Sequence, residues 1–353
     1  MEIARGAAGE STWEVAWTAP VPATGAGVYR YHGFRMDLAQ ARRRVELPAV
    51  IASLVVMFGG ELSTGAAGKN ARGRGAGGPV GAGAGIGAEA GVRNRPGNST
   101  GNGTGTEDAA GAEILRPFRA LLCGPQTRVH VGQHSGRLAG VDVTMAPWAA
   151  YALFGTSMQD IADRAVDLSD VVGSGHRGLM ERLGAAPGWR ARFDAVDDFL
   201  GSRRAPGVEP ATQVMRAYEL MRRSGGTMPI AEVAAHVGWD SRRLQRAFAA
   251  QIGVRPKVAS RILRLQRALR LLLAGVSLSR VAYECSYFDQ AHLTNDITEL
   301  TGRSPRRLLA ERAAMPAGPP NVDRLPGEVT SIVIDPVPGA ARRFSPRQRA
   351  AAA

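Results

Sequence analysis

Residues 238–256 read GWDSRRLQRAFAAQIGVRP, with Arg242, Arg243, Gln245 and Arg246 close together at the front of an apolar stripe. An arginine fork can bond guanine O6 and N7 together, and a glutamine amide can do the same with adenine N6 and N7. Leu244, Phe248 and Ile252 recur at spacing four. A helix would bury those three on one face and leave the arginines and the glutamine on the outer face, near its N-terminal end. Taken alone, a basic helix face is most often merely solvated, so the elements around this one decide its meaning.

The same design occurs twice. MPIAEVAAHVGWDSRRLQRAFAAQIGVRP is matched downstream by VSLSRVAYECSYFDQAHLTNDITELTGRSP. Ile230 aligns with Leu278, Val233-Ala234 with Val281-Ala282, Gly238-Trp239 with Ser286-Tyr287, and Gly253 to Pro256 with Gly302 to Pro305. Each copy predicts a short amphipathic helix, a tight turn and a second helix begun by an aspartate, Asp240 or Asp289, whose carboxylate suits the exposed N–H groups and the positive end of the helix dipole. Gly238 gives the turn its conformational freedom. The pattern is helix-turn-helix. Trp239 and Tyr287, next to the turn, are expected to pack on their own helix pairs. The outward set of the second copy is Gln290, His292, Thr294 and Asn295, polar but hardly basic.

Between the copies, PKVASRILRLQRALRLLLAG opens on proline and closes on glycine, and Val258, Ile262, Leu265, Leu269 and Leu272 form a stripe. A helix of about 18 residues is roughly 27 Å long, and a duplex turn is about 34 Å, so one rigid helix could hold two recognition helices in successive major grooves.

Residues 213–312 resemble the DNA-binding domain of the AraC/XylS family of transcription regulators, in which the second motif reads like GYFDQAHLTRxF and runs on to GxSP. Here SYFDQAHLTNDI is followed by TGRSP. The resemblance implies that Arg242, Gln245 and Arg246 face bases in the first copy and Gln290, Thr294 and Asn295 in the second; Arg243 and His292 join them from the outward pattern. Lys257, Arg303 and Arg306 suit phosphates by charge and helix-end position. Ser286 stands where the family favours glycine, Asn295 where it favours arginine and Ile297 where it favours phenylalanine, so the first motif is expected to dominate specificity. The stretches YHGFRMDLAQARRRVELPAVIASLVVMFGGEL and APWAAYALFGTSMQDIADRAVDLSDVVG resemble the upstream domain of some AraC-like regulators, which senses a small molecule or mediates dimerisation.

Composition agrees with an anionic partner. The 353 residues hold 44 Lys and Arg against 31 Asp and Glu, a net charge of +13, and residues 213–312 alone carry 17 of the cations and 8 of the acids. The N-terminal stretch has no signal-peptide core, and LPAVIASLVVMFGG is too short for a bilayer, so a soluble cytoplasmic, nucleoid-associated protein is expected, with no membrane partner.

Residues 1–200 predict an α+β sensor or dimerisation domain, with a small β-rich core over 49–58, 128–133 and 139–147 and helices toward its C-terminal end, including one across SMQDIADRAVDL capped by Ser157. Residues 63–113, dominated by glycine, predict a disordered insertion without a phosphate-loop pattern. Residues 201–212 predict a linker, 213–312 an all-α domain with two helix-turn-helix motifs joined by a long helix, and 313–353 a mostly disordered tail with room for one short strand at EVTSIVI.

His130 and His134 in HVGQH have the spacing of helical zinc ligands but sit in a strand-like stretch, and no cofactor or metal is expected. Cys123 and Cys285 form no disulfide framework and read as buried small residues; an alkylation or redox sensor at Cys123 is the sharper alternative. The expected function is a sequence-specific transcription regulator, an activator by family habit. Double-stranded DNA is its partner, and RNA polymerase, a small-molecule effector and a second copy of the chain are further candidates. The alternatives are an enzyme or alkylation/redox-sensing module tethered to DNA, and a non-specific architectural DNA-binding protein. No clustered acid, histidine and nucleophile supports an enzyme.

Overall fold

Strands come first in the chain: β1 (Glu2–Ala8), β2 (Ser11–Thr18), β3 (Val28–Asp37), β4 (Arg42–Glu46), β5 (Ala52–Gly59), β6 (Leu62–Ala66), β7 (Arg116–Phe118), β8 (Ala120–Cys123), β9 (His130–His134) and β10 (Arg137–Met145). They are followed by α1 (Pro147–Phe154), α2 (Met158–Ile161), β11 (Ala165–Asp167), α3 (Leu168–Val172), α4 (Gly175–Ala185) and α5 (Trp189–Gly201). The helical region then runs α6 (Thr212–Arg223), α7 (Ile230–Val237), α8 (Ser241–Ile252), α9 (Pro256–Leu273), α10 (Leu278–Glu284), α11 (Gln290–Thr301) and α12 (Pro305–Ala313), and the last described element is β12 (Ser331–Ile334). This computed structural model describes residues 1–20, 27–67, 115–203, 207–315, 318–319, 323–325 and 327–334.

The strands form two antiparallel sheets, one of seven in the order β1-β2-β3-β10-β5-β8-β11 and one of five in the order β12-β4-β9-β6-β7. The fold is therefore an α+β N-terminal region followed by an all-α region with two helix-turn-helix motifs. The three strand segments read from the sequence correspond to β5, β9 and β10. The strands β1 and β4 were not legible, because EIARGAA and RRRVE carry too few apolar residues to alternate. Strand β6 reaches Ala66 and pairs with β7 (Leu62↔Phe118, Ser63↔Pro117, Thr64↔Arg116), so the glycine-rich insertion starts inside a strand and its two ends are hydrogen-bonded neighbours. Loop closure costs only about 0.6 kcal/mol per doubling of length, so a long insertion between paired ends is cheap. Of the expected disordered insertion over 63–113, residues 63–66 are in strand β6 and residues 68–113 lie outside the described residues.

The expected helix over SMQDIADRAVDL is corrected. Only Met158–Ile161 is helical, Ser157 makes no side-chain cap bond, and Ala165–Asp167 pairs with β8. Asp163 causes the break: it holds φ 56° while its carboxylate accepts from Thr127 N at 2.7 Å and Thr127 Oγ1 at 2.5 Å. The segment after α12 also differs from a simple tail, since Thr330, Ser331 and Ile332 are fully buried and β12 pairs along β4 (Ser331↔Glu46 to Ile334↔Arg43). Residues 335–353 lie outside the described residues.

Each half of the helical region shares a core with the sheets. Leu244, Phe248 and Ile252 of α8 and Val214 and Tyr218 of α6 pack in one cluster with Leu54, Val143, Leu153 and Met158. Leu269, Leu293, Ile297 and Leu308 pack in another with Val45 and Leu47 of the sheet side and Ile332 of β12. The Tyr218 hydroxyl donates to Val50 O at 2.7 Å, and Gln266 of α9 donates to Pro48 O at 2.7 Å. In the expected α9 stripe, Ile262, Leu265, Leu269 and Leu272 are buried but Val258 is 37% exposed; Ala259 takes the inward place in the first turn.

Candidate nucleic-acid interface and internal cavity

The local geometry of both motifs follows from their sequence. Gly238 ends α7 at φ 71°, a left-handed conformation that glycine takes without strain, and Asp240 then caps α8 by accepting from Arg243 N at 2.9 Å. That bond holds the Asp240 carboxyl below the usual range. In the second motif Asp289 caps α11 by accepting from His292 N at 2.7 Å. Ser286 adopts φ 55° at the place of Gly238, so a β-carbon is forced into the left-handed region.

On α8, Arg242, Gln245 and Arg246 are exposed and make no side-chain hydrogen bond or ion pair among the described residues. Arg243 is exposed too, but its guanidinium lies 4.4 Å from the Trp239 ring, which turns it back toward the turn. The face formed by the other three is clear of internal partners and sits beside the positive end of the helix dipole.

On α11, Gln290 and Asn295 are exposed and Thr294 is half-buried. His292 is exposed, but its ring meets Tyr287 edge-on at 5.2 Å and its Nδ1 accepts from Phe288 N at 3.4 Å. Tyr287 is core, 5% exposed, whereas Trp239 is half-buried. Phe288, 92% exposed beside the cap, is a surface aromatic that pattern reading passed over. A carboxylate buried on the inner side of α11, Asp296, accepts from Arg261 Nε of α9 at 2.5 Å and from the Tyr287 hydroxyl at 2.8 Å. Arg261 also reaches Glu299 at 2.7 Å, and Arg264 covers the Tyr287 ring at 4.6 Å. This cluster sets α11 against the connecting helix, and no sequence motif announced it.

Of the three residues assigned to phosphates, Lys257 and Arg306 are exposed in the first turns of α9 and α12. Arg303 is corrected: it is 6% exposed, its Nε donates to Glu311 and its Nη1 donates to Thr301 O at 3.1 Å. Its guanidinium is buried and turned onto Glu311 and Thr301 at the start of α12, away from the surface that a phosphate would reach.

The N-terminal region holds a cavity of about 110 Å³ between the two sheets. Phe34, Val55, Leu62, Leu121 and Leu138 are among its apolar lining, and His32, Arg44, Glu46, Ser53, Asp142 and Arg324 supply polar groups. Burial raises Glu46, but Arg44 and then Arg324 outweigh it and hold the carboxyl below the usual range. Burial pushes Asp142 up to about 6. His32 is pushed down to about 3 by burial and then by Arg30 and Arg44, and His134 to about 4 by burial and then by Arg44 and Arg42.

His130 and His134 lie on one strand; His134 faces the cavity and His130 Nε2 lies 3.6 Å from Asp163. Among the described residues no group of His, Cys, Asp and Glu could hold a metal ion. Cys123 and Cys285 are buried, and burial pushes the Cys123 thiol up to about 12, so it is not a thiolate poised for oxidation or alkyl transfer. No described helix is long and apolar enough to cross a membrane.

Comparison with known proteins places this geometry. A family model described as a helix-turn-helix domain matches residues 233–311. No curated protein matches the chain. Among solved structures, the chain is similar to an AraC-type DNA-binding domain protein from Chromobacterium violaceum, at 26% identity over 29% of this chain and 93% of that one, with a TM-score of 0.28. It is similar to the C-terminal domain of AraT, a response regulator from Geobacillus stearothermophilus, at 20% identity over 29% of this chain and 88% of that one, with a TM-score of 0.28. ToxT from Vibrio cholerae aligns over 85% of this chain and 98% of its own, at 8% identity and a TM-score of 0.37. Residues 233–311 thus match a helix-turn-helix domain, in keeping with the two capped helix pairs described above.

Proposed function

We propose that the chain is a sequence-specific, effector-responsive activator that reads two major-groove segments on one face of a duplex. The observation that carries this reading is the face of Arg242, Gln245 and Arg246: exposed, free of internal partners and presented at the capped N-terminus of α8. A second capped helix, α11, lies at the other end of the 18-residue helix α9, so the pair suits grooves about one duplex turn apart. Lys257 and Arg306 hold phosphates beside these segments, Gln290, Thr294 and Asn295 read the second one, and Arg243 and His292 contribute at the margins because each is partly engaged by an aromatic neighbour.

The activator role rests on the family resemblance and requires a contact with RNA polymerase. Effector response rests on the cavity between the sheets. A homodimer follows from the upstream resemblance alone. The work is done on the chromosome, in the cytoplasm.

Selection of bound duplexes from a randomised pool by the full chain tests the reading. The expected result is a non-palindromic consensus with two short conserved blocks. Enrichment of no common sequence, with affinity tracking salt alone, would mean an architectural coating protein instead.

A further inference from the structure

Beyond α12 the chain turns back to the N-terminal sheets, and residues 323–325 and 327–334 touch three things at once. Arg324 lines the cavity, donating from Nη2 to Gln126 Oε1 at 2.7 Å, and its Nε lies 3.6 Å from Glu46. Asp323 pairs with Arg312 of α12 and accepts from Thr330 N at 2.7 Å and Ser331 N at 3.1 Å. Val329 donates to Gln266 Oε1 of α9 at 2.9 Å and accepts from Gln266 Nε2 at 3.1 Å. One short segment is therefore both a wall of the cavity and a brace on two helices of the DNA-binding domain.

Inside the cavity, Asp142 Oδ1, Ser53 Oγ and His32 Nε2 are buried without a hydrogen-bond partner among the described residues. They are neighbours: Asp142 stands opposite His32 across β10 and β3, and Ser53 pairs with Thr144, two residues along the same face of β10. Leaving a buried polar group unmatched costs about 1–3 kcal/mol, so the cluster favours a ligand that hydrogen-bonds to it. The charges beside it are held in ion pairs, Glu46 with Arg44 at 3.2 Å and with Arg324 at 3.6 Å, and Asp323 with Arg312, while Arg324 Nε has no hydrogen-bond acceptor among the described residues and can donate to a hydroxyl oxygen. A cationic head would face Arg44 and Arg324, and an anionic one would face Asp142 and Glu46. The rest of the wall is mainly apolar, with Thr64, Gln126 and His134 among its aliphatic and aromatic groups, and the volume, about 110 Å³, is below the ~150 Å³ that accepts benzene in an apolar core.

We propose that this cavity binds a small uncharged molecule with a hydroxyl head on an apolar body, and that Asp323, Arg324 and residues 329–331 carry its occupancy to α9 and α12. The inference rests on the effector-responsive reading above and gives it a ligand class and a route.

The test uses the full chain and four three-carbon probes: propan-1-ol, propane, propylammonium and propanoate, with binding read by saturation-transfer NMR at millimolar concentration. Propan-1-ol is expected to bind tightest. Ser53→Ala should weaken it about fivefold, the worth of one net hydrogen bond, and Val55→Phe should abolish it by filling the space. Ser53→Ala keeps the test valid if the larger substitution fails to fold. Failure of propan-1-ol to bind, tighter binding of either charged probe, or indifference to Ser53→Ala would overturn the ligand class. Hydrogen exchange tests the route: propan-1-ol should slow exchange at the Val329 and Ser331 amides and along α9, and unchanged exchange with propan-1-ol bound would overturn it. Sequence selection without any probe is a separate readout, so failure here leaves the DNA-binding reading standing.

Discussion

Asp296 on α11 and Arg261 on α9 form the join that sets α11 against the connecting helix, with the carboxylate accepting at 2.5 Å and the Tyr287 hydroxyl supplying a further bond at 2.8 Å. Removing one member of a buried ion pair leaves the other uncompensated, which costs about 3–5 kcal/mol when both are buried; Arg261 is a third exposed, so about 2 kcal/mol is expected for Asp296→Ala. The substitution should lower the urea midpoint and weaken protection of the second DNA segment more than the first. Equal loss over both segments would show that the join does not act on α11 selectively.

Ser286 occupies a left-handed position, at φ 55°, that Gly238 fills in the other motif at φ 71°. A β-carbon there costs about 1–2 kcal/mol, part of which is offset by the greater freedom of glycine in the unfolded chain. Ser286→Gly should therefore stabilise the protein by about 0.5–1 kcal/mol, read as a higher denaturation midpoint. A lower midpoint would contradict the strain.

Among the titrating groups of the cavity, Asp142 acts against His32 and His134. The folded pKa of Asp142 is raised to about 6, so its protonated form stabilises the fold below its ordinary value and that contribution is lost as pH rises toward 6. For His32, lowered to about 3, and His134, lowered to about 4, the unfolded chain binds the protons, so stability rises with pH up to about 6.5. Asp142→Asn removes the opposing member: its stability relative to wild type should increase between about pH 4 and 6 and level off above. Urea melts of both proteins across that range measure it, and a constant difference would place Asp142 in water.

Arg306 and Arg303 are three residues apart yet should behave differently. Arg306→Ala should leave stability unchanged and reduce the slope of log affinity against log salt by about 1, the effect of one lost phosphate contact. Arg303→Ala should lower the denaturation midpoint, since Glu311 loses a buried partner. An equal salt slope for Arg306→Ala and wild type would remove Arg306 from the interface.

The helical half was legible because repetition reported on it twice. The caps at Asp240 and Asp289, the turn at Gly238 and the inner faces of α8 and α11 are local features, set by residues within a few positions of each other. What escaped is non-local. Arg303 looked like a helix-end cation until its pairing with Glu311 was visible, and Asp296 carries no motif. The cavity needs His32, Ser53, Asp142 and Arg324 brought together from β3, β5, β10 and the returning segment, which depends on strand order rather than spacing. The strand at 331–334 was read only as a short isolated element, because its partner Arg42–Glu46 lies almost the length of the chain away.

The central claim is that α8 reads bases. Hydroxyl-radical footprinting of the full chain and of Arg246→Ala on a selected duplex tests it most directly. The account predicts two protected segments about one helical turn apart in the wild type. It predicts that Arg246→Ala loses about 1–3 kcal/mol, with the base preference relaxed at one position of the first segment. Unchanged affinity and unchanged preference in Arg246→Ala would contradict it.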